Sequence, residues 1–248
     1  MKTIPKIILL IGIIFTNPGY NLALAQNSDN NMVILFTRIK TNSPLDGILT
    51  DTTSGGYFVN SLLERYKKLN AYTFEYLMTV YQKNQSETES GKMYFKEPKL
   101  MRIEQTSGKR NGSVAVLSNN NKVTAHPGGL FKIVKVTLDK YDDDLKCLNG
   151  YNMVESDFLS LAYALKSYIN KGMKCMVTLK PHLINDLKAN YFILDVYNNN
   201  VLYKRVLFDS QNFLPIHWLD YNNGKLYCYS KFYNINTTAT INDSVFQP

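Results

Sequence analysis

The chain has 248 residues, 12% of them aromatic, with 28 Lys and Arg against 20 Asp and Glu for a formal charge of +8. That length suits one domain with a sizeable core, or at most two small ones. The basic residues are scattered, paired at Lys67-Lys68 and Lys109-Arg110 without a long run; this fits a mild attraction to anionic surfaces such as a membrane and argues against a nucleic-acid binder.

Residues 1–25 read as a secretory signal. Lys2 and Lys6 open it, an apolar run follows at 7–15, Pro18-Gly19 breaks the run, and Ala23-Leu24-Ala25 places small residues two apart. The pattern predicts cleavage between Ala25 and Gln26 and an exported, periplasmic mature protein. The apolar run is well short of the about 20 residues needed to span a bilayer. Residues 26–56 are rich in Asn, Ser, Thr, Asp and Gly around one apolar patch at 32–36, the composition of a poorly ordered lead-in. A single domain is expected over 57–248. It opens with a helix at 57–70, where Phe58, Leu62, Tyr66 and Leu69 recur at helical spacing. The period then changes to two: Phe74, Tyr76, Met78 and Val80 alternate with Thr73, Glu75, Leu77 and Thr79 in a strand.

Further strands are expected at 91–95, 100–105, 114–117 and 131–138, separated by Pro98, Asn111-Gly112, 119–121 and 126–129. A second helix is expected at 157–170, with Ser156 or Asp157 as its cap and Gly172 as its stop. Strands at 175–179, 189–197, 201–209, 214–221 and 225–235 complete the chain, two of them joined by tight turns at 198–200 and 222–224. The fold class is mainly β: about nine to eleven antiparallel strands. A sheet that wide must curl to bury its apolar face. A strongly curved, half-open sheet with both helices across its open side buries all the apolar stripes at once.

Catalytic and metal motifs are missing from the sequence. His126, His182 and His217 stand at no metal-ligand spacing, and no Gly-x-Ser-x-Gly elbow is present. Segment 108–112 does not match a phosphate loop, and 142–144 lacks the Gly and Glu of a calcium loop. No cofactor and no metal is expected. An enzyme on this frame would have to use Glu75, Glu104 or His217, with the carboxylates facing one cleft from neighbouring strands. Cys147, Cys175 and Cys228 show no redox spacing; two of them could pair, or all three could be buried thiols. The 18 Tyr, 12 Phe and 8 Met suit either an ordinary core or a surface that accepts varied apolar shapes.

Two segments resemble the LolA superfamily of periplasmic lipoprotein and lipid carriers, and its uncharacterised relatives more than the lipoprotein chaperone. Over 69–104, Tyr72-Thr73-Phe74-Glu75-Tyr76 is followed by Gly91, an alternating aromatic strand, Pro98, and Arg102 before an apolar residue. Over 209–246, Asp209, Phe213-Leu214-Pro215, Gly224, the strand at 229–234 and Asp243-Ser244-Val245-Phe246 recur in family order. The resemblance implies a half-open barrel, a helical lid over an apolar cavity, no catalysis, and a lipid or lipoprotein acyl chain as cargo. A membrane surface or an envelope transport partner would receive it. It implies Met101 as an apolar contact near the cavity mouth, with Phe74, Tyr76, Met78, Met93, Phe95 and Trp218 as further contacts and Arg102 as structural. One position departs: the family's basic residue before the proline, which helps hold the lid closed, is Glu97 here. The expected function is an exported carrier or binder of an apolar ligand; the alternative is an interaction module whose barrel is filled by its own side chains.

Overall fold

A computed structural model describes residues 20–26, 32–38, 49, 51–82, 85–118, 120–129 and 134–247. The chain divides at Ile48 into two units. In the first, β1 (Tyr20–Gln26) and β2 (Met32–Arg38) pair antiparallel, with Ala23 opposite Leu35. The basic and apolar parts of the expected signal, 2–15, lie outside the described residues, and the expected cleavage bond after Ala25 falls at the end of β1.

The second unit begins with β3 (Thr52–Ser54), α1 (Gly56–Tyr66), β4 (Ala71–Tyr81), β5 (Ser86–Lys96), β6 (Leu100–Ser107), β7 (Val114–Leu117), β8 (Lys122–His126) and β9 (Val136–Asp139). It continues with α2 (Phe158–Asn170), β10 (Lys174–Thr178), β11 (His182–Ile184), β12 (Ala189–Asn198), β13 (Val201–Asp209), β14 (Pro215–Asn222) and β15 (Lys225–Asn236). The strands form one antiparallel sheet in the order β3-β10-β12-β13-β14-β15-β4-β5-β6-β7-β8-β9, with β11 added beside β12. The sheet is strongly curved but not closed. Its two ends, β3 and β9, are three and four residues long, and short edges limit pairing with other chains.

The alternation read in the sequence is the alternation observed. Tyr72, Phe74, Tyr76, Met78 and Val80 of β4 are buried on the concave side, while Thr73, Glu75, Leu77 and Thr79 lie on the other face. Thr52–Ser54, placed by composition in the lead-in, is instead a strand that pairs with β10, and α1 ends at Tyr66 rather than near 70. The strand expected at 131–138 is seen from Val136; 130–133 lie outside the described residues. Strands β8 and β11 were not expected, because Lys122–His126 buries only Val123 and His182–Ile184 only Ile184, too few for a period to register.

Both helices lie against the concave face. Val59, Leu62, Leu63 and Tyr66 of α1 and Phe158, Leu161, Ala162 and Leu165 of α2 are buried. Phe158 stacks on Tyr72 at 4.6 Å and on Phe74 at 5.1 Å between ring centroids, so the start of α2 is fixed to β4 by aromatic packing. Asp157 caps α2 by accepting from the Ser160 amide at 2.9 Å. The helix stops in paired bonds, Gly172 N–H to the Ile169 carbonyl and Met173 N–H to the Tyr168 carbonyl. Gly172 takes the positive φ of 79° that this stop requires.

Candidate functional site

Five adjacent strands meet at an apolar cavity on the concave side. Its floor is Trp218 of β14, Ser230 and Phe232 of β15, Phe74, Tyr76 and Met78 of β4, Met93 of β5 and Ile103 of β6. Its cover is Leu161 of α2 together with Cys147, Asn149, Tyr151 and Ser156 from the segment leading into that helix. Its volume is about 50 Å³, far below the roughly 300–1,000 Å³ of ordinary ligand pockets. A second chamber of about 740 Å³ shares Tyr76, Ile103 and Cys147 with the first, and this volume is in the ordinary range for ligand pockets, roughly 300–1,000 Å³. Its wall mixes apolar side chains such as Val114, Val136, Leu138 and Met153 with Glu89, Gln105, Lys109, Arg110 and Lys146.

The wall that the two chambers share, their neck, owes its shape to a glycine. Tyr76, Gly91 and Gln105 stand in register across β4, β5 and β6. With no side chain at Gly91, the Tyr76 ring crosses β5 and its hydroxyl donates to Gln105 Oε1 at 2.8 Å. A Cβ on Gly91 would meet the Tyr76 hydroxyl at 2.7 Å and the Glu104 carbonyl at 2.5 Å. Beside this bridge sits Glu89, 3% exposed, accepting from the Leu148 amide at 3.3 Å. Burial raises the Glu89 carboxyl above its ordinary value. Burial also pushes the Cys147 thiol up to about 12, so the thiol stays protonated at neutral pH.

A few polar ties hold the cover down. Lys99, one residue past Pro98, donates to Asp157 Oδ2 at 2.9 Å and to Ser160 Oγ at 3.0 Å. The Phe158 amide donates to the Tyr72 hydroxyl at 2.9 Å. The guanidinium of Arg110 donates to the Asp144 carbonyl at 2.8 Å and to the Lys146 carbonyl. Lys204, almost fully buried, contacts the Asp220 carboxylate, donates to the Tyr151 hydroxyl at 3.1 Å and lies 4.9 Å over the Trp218 ring. Burial pulls its pKa down to about 7. Glu97, in place of the basic residue that the resemblance implies before the proline, makes no such tie. Lys99 supplies a cation from the other side of Pro98, and Glu97 stands near enough to Asp157 for that carboxylate, after burial, to raise its pKa.

Of the expected contact residues, Phe74, Tyr76, Met78, Met93 and Trp218 line the inner chamber, whereas Met101 and Phe95 do not. Both face the concave side but lie under the start of α2: Phe95 stacks on Tyr72 at 4.7 Å, and Met101, wholly buried, stands opposite Phe95. Ile103, Phe232 and the 147–156 segment complete the lining. The two helices cover different parts of the concave face. Only α2 reaches the chamber, while α1 packs Phe58 against Phe192, Phe208 and Phe213 away from it.

Glu75, Glu104 and His217 do not converge. Glu75 and Glu104 are on β4 and β6, not on neighbouring strands; Lys92 of β5 stands between them in register on the outer face. Arg102 is a structural partner there, with its Nε 2.7 Å from Glu104 Oε1 and Nη1 donating to the Val245 carbonyl. His217 points away from Trp218 and the chamber, its Nδ1 2.8 Å from the Tyr229 hydroxyl, and burial lowers its pKa to about 4. All three cysteines are free thiols. Among the described residues no His, Cys, Asp and Glu group of three or more is placed to hold a metal, and no helix is long and apolar enough to cross a membrane.

No family model matches the chain, and no curated protein matches it. Solved structures do. An uncharacterized conserved protein from Thermus thermophilus is similar at 10% identity and a TM-score of 0.48, over 77% of this chain and 94% of that one. A LolA superfamily protein from Nitrosomonas europaea is similar at 8% identity and a TM-score of 0.39, over 79% and 98%. A chain of the Pseudomonas aeruginosa MucA/MucB complex is similar at 14% identity and a TM-score of 0.40, over 78% and 60%. One of these belongs to the superfamily that 69–104 and 209–246 resemble.

Proposed function

We propose that the chain is an exported, non-enzymatic binder and carrier of an apolar ligand, a lipid or an acyl chain, taken up between the curved sheet and the 147–161 cover. The observation that carries this reading is the pair of adjoining chambers: an apolar floor built by five strands, roofed by a segment held by buried apolar side chains and a few polar ties, and sharing three lining residues with a space of ligand size. With the cover down, the inner chamber of about 50 Å³ is too small for a fatty tail, so loading requires the cover to lift. Each buried methylene then contributes about 0.8 kcal/mol, and a long acyl chain gains on the order of 10 kcal/mol by leaving water. Closure is held by polar ties of about 1 kcal/mol each and by the buried Met153, Val154, Phe158 and Leu161 of the cover, each worth about 1.5–3 kcal/mol, so the gain from the cargo is of the same order as the cost of lifting the cover.

The small inner volume also favours a second reading, an interaction module whose barrel its own side chains fill. Native mass spectrometry with lipid extraction, on protein purified from its own cell envelope, separates the two. Co-purifying lipid or acylated protein is the expected result. A ligand-free species that also leaves hydrophobic dyes unbound would refute the carrier. In the same preparation, N-terminal sequencing is expected to begin at Gln26; a retained Met1 would overturn the export reading.

A further inference from the structure

Glu89 is a charged group in a place that an apolar cargo alone does not explain. It stands on β5 opposite Met78, is 3% exposed and belongs to the wall of the wide chamber. Its contacts are the Leu148 amide at 3.3 Å and the neighbouring Gln105. No Lys or Arg forms an ion pair with it among the described residues; the Arg110 charge acts on it only through space, lowering its pKa in part, while the basic side chains of the same wall make their bonds elsewhere. Lys109 holds Glu87 at 2.8 Å, Lys146 holds Asp143 at 2.6 Å, and Arg110 donates to two carbonyls. A carboxylate removed from water with no cation in direct contact is costly; a ligand ammonium entering the wide chamber would offset that cost. Glu89 lines the wide chamber beside Tyr76, Ile103 and Cys147, which also line the inner one.

We infer that Glu89 receives the ammonium group of an amine-headed amphiphile whose hydrocarbon chain runs through the neck into the inner chamber. The inference rests on the carrier reading and names its ligand class. A carboxylate-headed fatty acid would bring like charge to Glu89 and is disfavoured at the same place.

The test uses three sixteen-carbon probes, hexadecylamine, hexadecanol and palmitate, titrated by calorimetry against the full mature protein and Glu89→Gln. The pH is held near 8, where an alkylamine remains an ammonium ion. The wild-type protein is expected to bind hexadecylamine at least about tenfold more tightly than hexadecanol, a difference near 1.4 kcal/mol, with palmitate weakest. Glu89→Gln is expected to lose the preference for the amine and to keep its affinity for hexadecanol, which also shows that the variant is folded. Wild-type protein that binds the amine no better than the alcohol, or that prefers palmitate, overturns the inference while leaving the carrier standing. Retention of the amine preference in Glu89→Gln does the same. Wild-type protein that binds none of the three probes sinks the carrier reading and this inference with it.

Discussion

The floor and the cover of the inner chamber are built by different physics. The floor is a continuous ladder: β4 pairs with β5 over eleven positions and with β15 over seven, and its side chains alternate strictly in and out. The cover, 147–161, has only a 3-10 turn at Met153–Glu155 before α2, and it combines buried Met153, Val154, Phe158 and Leu161 with side-chain bonds to Asp157, Phe158 and Tyr151 and to the adjoining 144–146 carbonyls. Ladder bonds share their strength among neighbours and open together, whereas scattered polar ties can be released one region at a time. The floor is accordingly expected to be the fixed half of the site and the cover the half that opens first.

The severest challenge to this division comes from the floor. Phe74→Ala removes a ring packed against Phe158, Tyr72 and Phe232 and is expected to cost about 3–5 kcal/mol, read as a shift in urea midpoint at constant slope. A loss below about 1 kcal/mol would mean that the floor is not the rigid half.

The ties of the cover come next. Asp157→Ala removes the α2 cap and the Lys99 partner together and is expected to cost about 1–2 kcal/mol. Lys99→Met removes only the ion pair. Because the Lys99 side chain is 44% exposed, its loss of global stability is expected below about 1 kcal/mol. Both variants are expected to speed amide exchange over 147–161 while leaving β4 and β5 unchanged. Equal acceleration in cover and floor would refute a separately moving cover.

The smallest effect lies at the neck, where floor and cover meet. Burial holds the Glu89 carboxyl above its ordinary value, so the native protein keeps that proton more tightly than the unfolded chain does. The stability that Glu89 contributes is fully present below the ordinary carboxylate value of 4.5 and is lost as pH rises through the higher native value. Wild-type stability is therefore expected to fall relative to Glu89→Gln as pH is raised from about 4 to about 8, followed by urea unfolding. Parallel curves for the two proteins would show that Glu89 is not held in its raised state.

The floor was legible in the sequence because a half-buried strand writes its faces with a period of two, and β4 carries that period over ten residues. Parity assigns a face but not a position along it. Met101 and Phe95 share the concave side with Met93, yet the start of α2 roofs them and leaves Met93 at the chamber. The cover was not legible, since Asn149, Tyr151 and Ser156 follow no period and take their places through tertiary contacts such as the bond from Lys204 to Tyr151. Glu89 escaped notice for a related reason. It lies in a stretch of Ser, Thr and Glu that reads as exposed, and only the register with Met78 turns it inward.

The roof of the chamber, 147–161, is one uninterrupted stretch of chain, while the floor beneath it is gathered from 74–103 and from 218–232. The two can consequently diverge independently. A relative could exchange that single stretch by one insertion or replacement and acquire a different guest without disturbing a single rung of the sheet, so grafting the stretch between such proteins is a direct route to re-addressing what they hold.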